Sequence, residues 1–301
     1  MIHLRRGKGP RRFRWEHGVL LVSAALVVLL TISIVGFISV KGLATFVVDR
    51  VNPIEFLFST KWFPDRPPSE GGPQVGSLNY IAGSIAVSTL AVLVATPLSL
   101  LGAIFMVEVA PRWGQHLLRP ALEMLAGIPS VVYGWTGLTL LVPFIRVHLG
   151  GLGFSLLAGF LVLAVMILPT ILTVSADSLR ALPTDLKEAA YALGSTRWQT
   201  VRRILLPAAR SGIITGVILG LARAFGEALA VQMVIGNTRQ PPFSFLQPMT
   251  TLTSAITMDM PYTVMGSLWN NVLWSMALLL LLISCAFIVA IKMVSRRGVR
   301  L

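Results

Sequence analysis

Apolar and polar positions alternate along this chain in long blocks, unlike the short periods of a soluble domain. Six stretches are almost entirely apolar, at residues 19–40, 81–107, 117–145, 154–176, 212–235 and 268–294. A helix of about 20 apolar residues is long enough to cross the hydrocarbon core of a bilayer, so each stretch could span a membrane. The pattern therefore predicts an all-α integral membrane protein with six transmembrane helices.

The third stretch differs from the others because glycine and proline residues interrupt it. Gly127, Pro129 and Gly134 all fall within it. A broken helix is tolerated in a membrane only where protein or a water-filled cavity satisfies the free backbone groups. We therefore expect a bent or discontinuous span, in which Pro129, Ser130 and Tyr133 are candidates to line a pathway through the protein. A simple proline kink would explain the same residues.

The apolar stretches divide the chain into consecutive segments. We expect a basic N-terminal segment at residues 1–18, a first membrane anchor at 19–41, an external loop at 42–78, a core of five spans at 79–295 with a basic loop at 177–210, and a tail at 296–301. The first apolar run exceeds the roughly 7 to 15 residues of a cleavable signal peptide. We therefore interpret it as a retained anchor.

The basic loop at residues 177–210 has the pattern of two short helices joined by a sharp turn. From Leu186 to Leu193 the apolar residues recur at the spacing of one helix face. Gly194 can adopt a positive φ at little cost and so end the first helix. Ser195 or Thr196 can cap the second helix. The loop is predicted to be helix, turn, helix.

The second helix of this loop is predicted to be amphipathic. Its apolar stripe consists of Trp198, Val201 and Leu205, and Pro207 interrupts the helix before the next span. Its basic residues, Arg197, Arg202 and Arg203, suit lipid headgroups or an acidic partner. On spacing alone, an ordinary amphipathic surface helix remains an alternative for the loop.

Composition and charge agree with a membrane protein. The 301 residues are 55% hydrophobic and only 12% charged, which is too apolar for a soluble domain. The net charge of +13 could suggest nucleic acid as a partner. With the N terminus in the cytoplasm, however, most of the 25 Lys and Arg residues fall in cytoplasmic segments, as the positive-inside rule requires. We therefore expect membrane lipid, and no nucleic acid, as a partner.

Motifs for enzymatic chemistry are not found in the sequence. No G-x-x-x-x-G-K-[ST] loop occurs, so we expect no nucleotide-binding P-loop in this chain. The four histidines are scattered without metal-ligand spacing, and no metal is assigned. No serine in an apolar stretch has the histidine and acid neighbours that nucleophilic catalysis needs. We expect that the chain is not an enzyme, has no catalytic residues and holds no cofactor.

The strongest candidate site lies inside the fifth apolar stretch, at Arg223 and Glu227. Four residues separate them, which would place both side chains on one helix face. An arginine deep in lipid is costly, so it should face a partner or a water-filled pathway. Its planar guanidinium can hold phosphate-type oxygens in a bidentate manner. The alternative is a self-neutralising ion pair of purely structural function.

The same stretch carries a seam of small residues. Gly212, Gly216 and Gly220 recur at four-residue intervals. Small residues at this spacing allow the backbones of two membrane helices to approach closely. We expect this face of the fifth span to pack directly against another helix.

The motifs together carry a resemblance to a known family. The loop reads Glu188-Ala189-Ala190, three residues, Gly194, nine residues and then Ile204-x-Leu206-Pro207, which resembles the EAA loop of ABC importer permeases. The runs at residues 122–134 and 222–237, with Arg-x-x-x-Glu followed by Met-x-x-Gly-Asn, resemble phosphate importer permeases of the PstC type. This second likeness covers roughly residues 60–295 and is more specific than the EAA loop.

The resemblance implies a fold, a function and a set of partners. The fold would be that of a type I ABC importer permease, with short cytoplasmic coupling helices. The chain would be the permease subunit for inorganic phosphate in the bacterial cytoplasmic membrane, with both termini in the cytoplasm. Its partners would be a second related permease, two ATP-binding subunits that hold the ATP and magnesium, and an extracytoplasmic phosphate-binding protein.

The resemblance also assigns roles to residues. Glu188, Ala189, Ala190, Gly194 and Pro207 would shape the loop that docks on the ATPase. Arg223 and Glu227 would meet the anion or gate its passage. Two alternatives remain open, which are a permease for another oxyanion such as sulfate or molybdate, and a stand-alone secondary transporter.

Overall fold

The computed structural model describes residues 13–239 and 244–297. Its helices are α1 Phe13–Val47, α2 Pro53–Phe58, α3 Leu78–Ile104, α4 Arg112–Gly127, α5 Ser130–Thr136, α6 Val142–His148, α7 Leu156–Arg180, α8 Asp185–Ala192, α9 Arg197–Thr200, α10 Leu206–Ala208, α11 Arg210–Gly226, α12 Leu229–Ile235, α13 Leu252–Asp259 and α14 Leu268–Arg297. Single π-helical turns follow α3, α5 and α9, at Phe105–Val109, Gly137–Leu141 and Val201–Leu205. Two short strands, β1 Trp62–Phe63 and β2 Gln74–Val75, pair antiparallel.

The described residues contain five helical stretches that are long and apolar enough to cross a membrane. They are Gly18–Val47, Leu78–Val109, Ser130–His148, Leu156–Arg180 and Leu268–Met293. A sixth span is obtained if the bent pair Arg197–Ala208 and Arg210–Gly226 is counted as one. The predicted all-α membrane class is confirmed, and the predicted stretch 212–235 corresponds to α11 and α12.

Two boundaries near the N terminus differ from the prediction. The first anchor extends to Val47 because the apolar run continues as helix beyond residue 41. The segment predicted as a plain loop at 42–78 is partly ordered by α2 and by the β1–β2 ribbon. Trp62 of β1 is only 2% exposed and packs edge-on against Tyr80 of α3. Burial of these aromatic side chains fixes the ribbon to the spans.

The third span is shorter than predicted. The stretch that begins at residue 117 includes the second half of α4, whose Arg119 and Glu123 are exposed and paired with each other. Helix α4 is therefore amphipathic and does not belong to the span, which starts at Ser130. The backbone leaves the helical region at Ile128 and Pro129, which separates α4 from α5. The predicted break is confirmed, but at the start of the span rather than within it.

The core lies where α3, α7 and α11 pack together. Helix α7 is its most buried element, with fully buried Leu163, Ile167 and Ile171. Helix α1 stands apart, because it contacts α14 through its last turns and is exposed from Gly18 to Gly36. The Ser275 hydroxyl donates a hydrogen bond to the Gly42 carbonyl there.

The described part of the connection between the fifth and sixth apolar stretches also contains helix. Helix α13 lies within it, and its residues from Leu252 to Ala255 are buried. The backbone N–H of Leu252 donates to the Ser84 hydroxyl of α3 at 2.8 Å. A Cβ at Gly83 would lie 2.1 Å from the Thr250 carbonyl oxygen, so only glycine permits this approach. This segment thus belongs to the packed core.

Candidate functional site

The fifth span is broken at Glu227. Helix α11 ends at Gly226, and Glu227 has extended backbone angles of φ −79° and ψ 123° before α12 begins at Leu229. The fifth stretch is therefore not one continuous helix, although Glu227 directly follows α11, four residues after Arg223. The extended ψ of Glu227 redirects the chain that follows it, so α12 does not continue the turn of α11.

Glu227 holds the break together from both sides. Its carboxylate oxygen Oε1 accepts a hydrogen bond from the backbone N–H of Ala230 at 3.0 Å, in the first turn of α12. Its carbonyl oxygen accepts from the Thr253 hydroxyl of α13 at 2.9 Å. A carboxylate at the start of a helix satisfies a free N–H group and is favoured by the helix dipole. Glu227 therefore acts as the cap of α12.

Arg223 lies in the last turn of α11 and points to a different partner. Its Nη1 donates a hydrogen bond to the Thr170 hydroxyl of α7 at 3.1 Å. Among the described residues, no Asp or Glu oxygen lies within 4.0 Å of its guanidinium. The predicted alternative of a self-neutralising Arg223–Glu227 pair is thus not seen. The guanidinium, half-buried in an apolar span, keeps a net positive charge and unused donors.

Helix α5 brings Tyr133 to the same region. A Cβ at Gly134 would lie 2.8 Å from Cα of Ala230, so α5 lies directly against α12. The Tyr133 hydroxyl donates to the Leu125 carbonyl of α4 at 2.7 Å. Tyr133 therefore links α4 to the helix that packs on α12.

The other two predicted pathway residues lie further along the break between α4 and α5. Pro129 is exposed and precedes α5, and Ser130 is half-buried at its first residue. Among the described residues, no hydrogen bond joins either residue to Arg223 or Glu227. They remain candidates for the pathway on the basis of position alone.

The glycine seam predicted on the fifth span faces α7. A Cβ at Gly216 would lie 3.2 Å from the Ile171 carbonyl oxygen, and one at Gly220 would lie 2.6 Å from the Ile171 side chain. A Cβ at Gly212 would overlap Ser178. The close approach predicted from spacing is confirmed. It also sets the distance at which Arg223 reaches Thr170, one residue before Ile171.

The basic loop forms the predicted helix, turn and helix. Gly194 has a positive φ of 79°, and the Thr196 side chain caps α9 in a capping box with Gln199. Glu188 and Ala189 are exposed on α8, whereas Ala190 is buried. This geometry leaves an exposed short helix on one face of the protein.

The apolar residues of the loop divide between the core and the surface. Val201 and Leu205 are 6% and 1% exposed, but Trp198 is 57% exposed and Leu193 is 88% exposed. Trp198 nevertheless lines the same cavity as Val201, so it lies on the predicted face and is covered there only in part. Exposed apolar side chains beside α8 favour contact with another protein.

Pro207 lies where the predicted interruption occurs. It falls in α10, and the segment Arg197–Ala208 makes an angle of 70° with α11. A proline cannot donate the backbone hydrogen bond that a continuous helix requires. The loop therefore runs across the end of the fifth span instead of extending it.

A separate cavity of about 520 Å³ opens between α3, α5 and α7. It is lined by apolar side chains together with Tyr133 and Thr136, and neither Arg223 nor Glu227 lines it. An apolar cavity cannot compensate for the desolvation of an anion, so we do not identify it with the charged site. Within residues 13–239 and 244–297, no three His, Cys, Asp or Glu side chains could hold a metal ion.

Three contacts of the site were not predicted from the sequence. Thr170 and Thr253 bond to Arg223 and Glu227 from helices distant in sequence. A polar residue after Pro169 in an apolar run was the available signal for Thr170. Lys187 of α8 pairs with Glu108, which lies 79 positions away and offered no signal.

Comparison with a known family shows a match over most of the chain. The family described as "Binding-protein-dependent transport system inner membrane component" matches residues 95–300. The "Probable ABC transporter permease protein YqgH" of Bacillus subtilis is 52% identical over 283 residues, which are 93% of this chain and 90% of that protein. The name of this Bacillus subtilis relative includes no substrate.

Other relatives carry a substrate in their names. The "Phosphate transport system permease protein PstC" of Xylella fastidiosa strain Temecula1 is 40% identical over 70% of this chain and 69% of that protein. The protein of the same name from Haemophilus influenzae is 37% identical over 76% of both.

Solved structures share the fold at low sequence identity. A chain of the MetNI methionine ABC transporter in an inward-facing conformation aligns with a TM-score of 0.56 and 20% identity, covering 72% of this chain and 93% of its own length. A chain of a bacterial alginate ABC transporter in complex with a periplasmic protein aligns with a TM-score of 0.65 and 15% identity, covering 97% and 99%.

Proposed function

Because this chain belongs to the family of binding-protein-dependent transport system inner membrane components, we propose that it moves inorganic phosphate inward as one permease subunit of an ATP-driven importer. That it is a multi-pass ABC importer permease of the inner membrane follows from the family. Phosphate is the proposed substrate, since relatives covering about three quarters of the chain are named phosphate permeases.

The observation that carries the choice of an anion is that, within residues 13–239 and 244–297, no acidic side chain forms an ion pair with Arg223. Its guanidinium donates to the neutral Thr170 hydroxyl, and the neighbouring Glu227 carboxylate is engaged by the Ala230 backbone. An uncompensated cation inside a membrane span is costly, and a bound oxyanion would neutralise it. Arg223 is therefore proposed to contact phosphate during its passage.

Glu227 is proposed to contribute by keeping the span broken at this point. While its carboxylate caps α12, the Arg223 donors are not consumed by an internal ion pair. The break also leaves α12 in contact with α5, the helix that carries Tyr133. Tyr133, Pro129 and Ser130 are proposed to line the path on either side of Arg223.

Energy for transport is proposed to come from separate ATP-binding subunits that dock on α8. Support comes from its exposure, from the exposed Leu193 beside it, and from the sharp turn at Gly194. On this proposal α8 and both chain termini lie in the cytoplasm. A second related permease, two ATP-binding subunits and an extracytoplasmic phosphate-binding protein would complete the importer, and ATP with magnesium would bind to the partner subunits.

The test is phosphate uptake by the complete importer reconstituted into liposomes. ATP is supplied on the side of the membrane where the ATP-binding subunits lie. We expect uptake of radioactive phosphate that is blocked by excess unlabelled phosphate but not by equal sulfate or molybdate. Competition by sulfate or molybdate instead would assign another oxyanion. Uptake by this chain alone without nucleotide would contradict the proposed mechanism.

A further inference from the structure

One ion pair connects the exposed helix α8 to a membrane span that is not its neighbour in sequence. The Lys187 ammonium of α8 lies 2.5 Å from Oε1 of Glu108, and the two side chains are only 28% and 13% exposed. Glu108 belongs to the π-helical turn Phe105–Val109, which ends the second span. Because both groups are shielded from solvent, salt screens this pair less than a surface pair.

Other packing of α8 is sparse. Ala190 is its buried residue, while its exposed residues include Leu186, Glu188 and Tyr191. A cavity of about 440 Å³ opens beside the ion pair and is lined by Glu108, Tyr191 and Arg197 among others. The apolar packing of the loop on the second span comes from the segment after α8, where Val201 and Leu205 join a cluster with residues at the end of that span. The ion pair adds a direct link from α8 itself to the second span.

Glu108 lies in a π-helical turn, and this affects how a displacement of α8 would be transmitted. Single π turns within α-helices are rare and are frequently found at functional sites. Its five residues join the long helix α3, which packs extensively against α7 in the core. A displacement of α8 can thus reach α3 through Glu108 as well as α7 through the chain.

We propose that the Lys187–Glu108 ion pair is a positioning contact that transmits movement of α8 to the second span during transport. This inference rests on the proposed function, because it assumes that a partner ATPase moves α8. The pair touches neither the anion nor ATP. It makes the second and fourth spans move together when the coupling helix is displaced.

The experiment compares uptake and ATP hydrolysis in the same liposomes containing the complete importer. The variants are Glu108→Gln, Lys187→Met and the charge exchange Glu108→Lys with Lys187→Glu. We expect each single variant to hydrolyse ATP at a rate close to the wild type, while phosphate taken up per ATP falls by roughly fivefold or more, the lower end of typical coupling between sites. The exchange should recover most of the ratio, but not all, because Arg197 lines the same cavity.

The matched control is Glu123→Gln on α4, which removes an exposed pair with Arg119. It should leave uptake per ATP unchanged. The proposal is overturned if Glu108→Gln keeps the wild-type ratio, or if the single variants only reduce the amount of assembled complex without changing that ratio. Failure of the proposed function is distinguishable, because the wild-type importer itself would then show no ATP-dependent phosphate uptake.

Discussion

Arg223 lies in the last turn before a helix break and Glu227 lies at the break, and their side chains bond to different helices. The Arg223 guanidinium donates to Thr170 of α7, and the Glu227 carboxylate accepts from Ala230 of α12. Each charge is favoured by the dipole of the helix end beside it. The carboxylate caps the start of α12, and the cation lies near the end of α11. The acid therefore does not neutralise the arginine, and the cation stays available to an anion.

Replacing Arg223 by lysine tests whether the shape of the cation matters as well as its charge. Lysine keeps the charge but loses the planar fork that holds an oxyanion with two parallel bonds. We expect Arg223→Lys to retain slow uptake with a raised KM, and Arg223→Met to abolish uptake while assembly is unchanged. The measurement is the initial rate of phosphate uptake in reconstituted liposomes. The control is Arg202→Lys at an exposed arginine, which should take up phosphate at the wild-type rate. Uptake by Arg223→Met equal to that of the wild type would contradict the proposed contact between Arg223 and phosphate.

Thr170 is predicted to orient the Arg223 guanidinium. Thr170→Val has nearly the same shape but cannot accept the hydrogen bond. Such bonds between membrane helices are worth about 0.6 to 1.7 kcal/mol, so KM for phosphate should rise by roughly three- to eighteen-fold. Thr170→Ser should restore the wild-type KM. The control is Thr215→Val on α11, whose hydroxyl bonds within its own helix, and a KM unchanged in Thr170→Val would refute the prediction.

Glu227 is predicted to stabilise the break through its oxygen atoms more than through its charge. Glutamine retains an oxygen that can accept from the Ala230 N–H, whereas alanine does not. Loss of a helix N-terminal cap costs about 1 kcal/mol. We expect Glu227→Ala to lower the thermal unfolding temperature in detergent and Glu227→Gln to leave it close to the wild type. Equal destabilisation by both substitutions would show that the negative charge is what the break requires.

The glycine seam gives a prediction about packing. Gly216→Val places side-chain atoms against the Ile171 carbonyl, which belongs to the backbone and cannot move aside easily. Overpacking of a close contact costs about 1 to 3 kcal/mol. We expect a lower unfolding temperature and a loss of uptake, since α11 must move away from Thr170. Gly36→Val on α1 is the control, because nothing lies within 4 Å of a Cβ there.

Gly194 is predicted to be required for the shape of the loop and not for insertion into the membrane. Its φ of 79° is unfavourable for a β-branched residue, whereas asparagine tolerates the left-handed region. Gly194→Val should reduce co-purification of the ATP-binding subunits while the chain still reaches the membrane. Gly194→Asn should retain most of the complex. The measurement is the amount of ATP-binding subunit that co-purifies with each tagged variant.

Much of the fold could be predicted because apolar length and glycine spacing are local properties. The boundaries of the second, fourth and sixth spans lie close to those of the helices, and the seam at Gly212, Gly216 and Gly220 packs as its spacing required. The third span was misplaced because α4 carries enough apolar residues to resemble a membrane stretch. Its polar face shows only when the positions of Arg119 and Glu123 on the helix are known.

The candidate site was predicted less completely than the fold. Arg223 stood out because a cation within an apolar run is rare and costly. Its partner Thr170 and the cap formed by Glu227 depend on where α7 and α12 lie, which no local pattern records. The extended residue that ends α11 at Glu227 was likewise not predicted by the four-residue spacing.

By itself the sequence determined the membrane class, the helix–turn–helix of the basic loop and the presence of a buried cation, since each depends on the identity or spacing of neighbouring residues. The tertiary structure alone decided which groups meet: Arg223 with Thr170, Glu227 with Ala230 and Thr253, and Lys187 with Glu108. The physical reason is that hydrogen bonds and ion pairs act over a few ångströms. Contacts between helices distant in sequence are therefore fixed by packing, which the spacing along one helix cannot reveal.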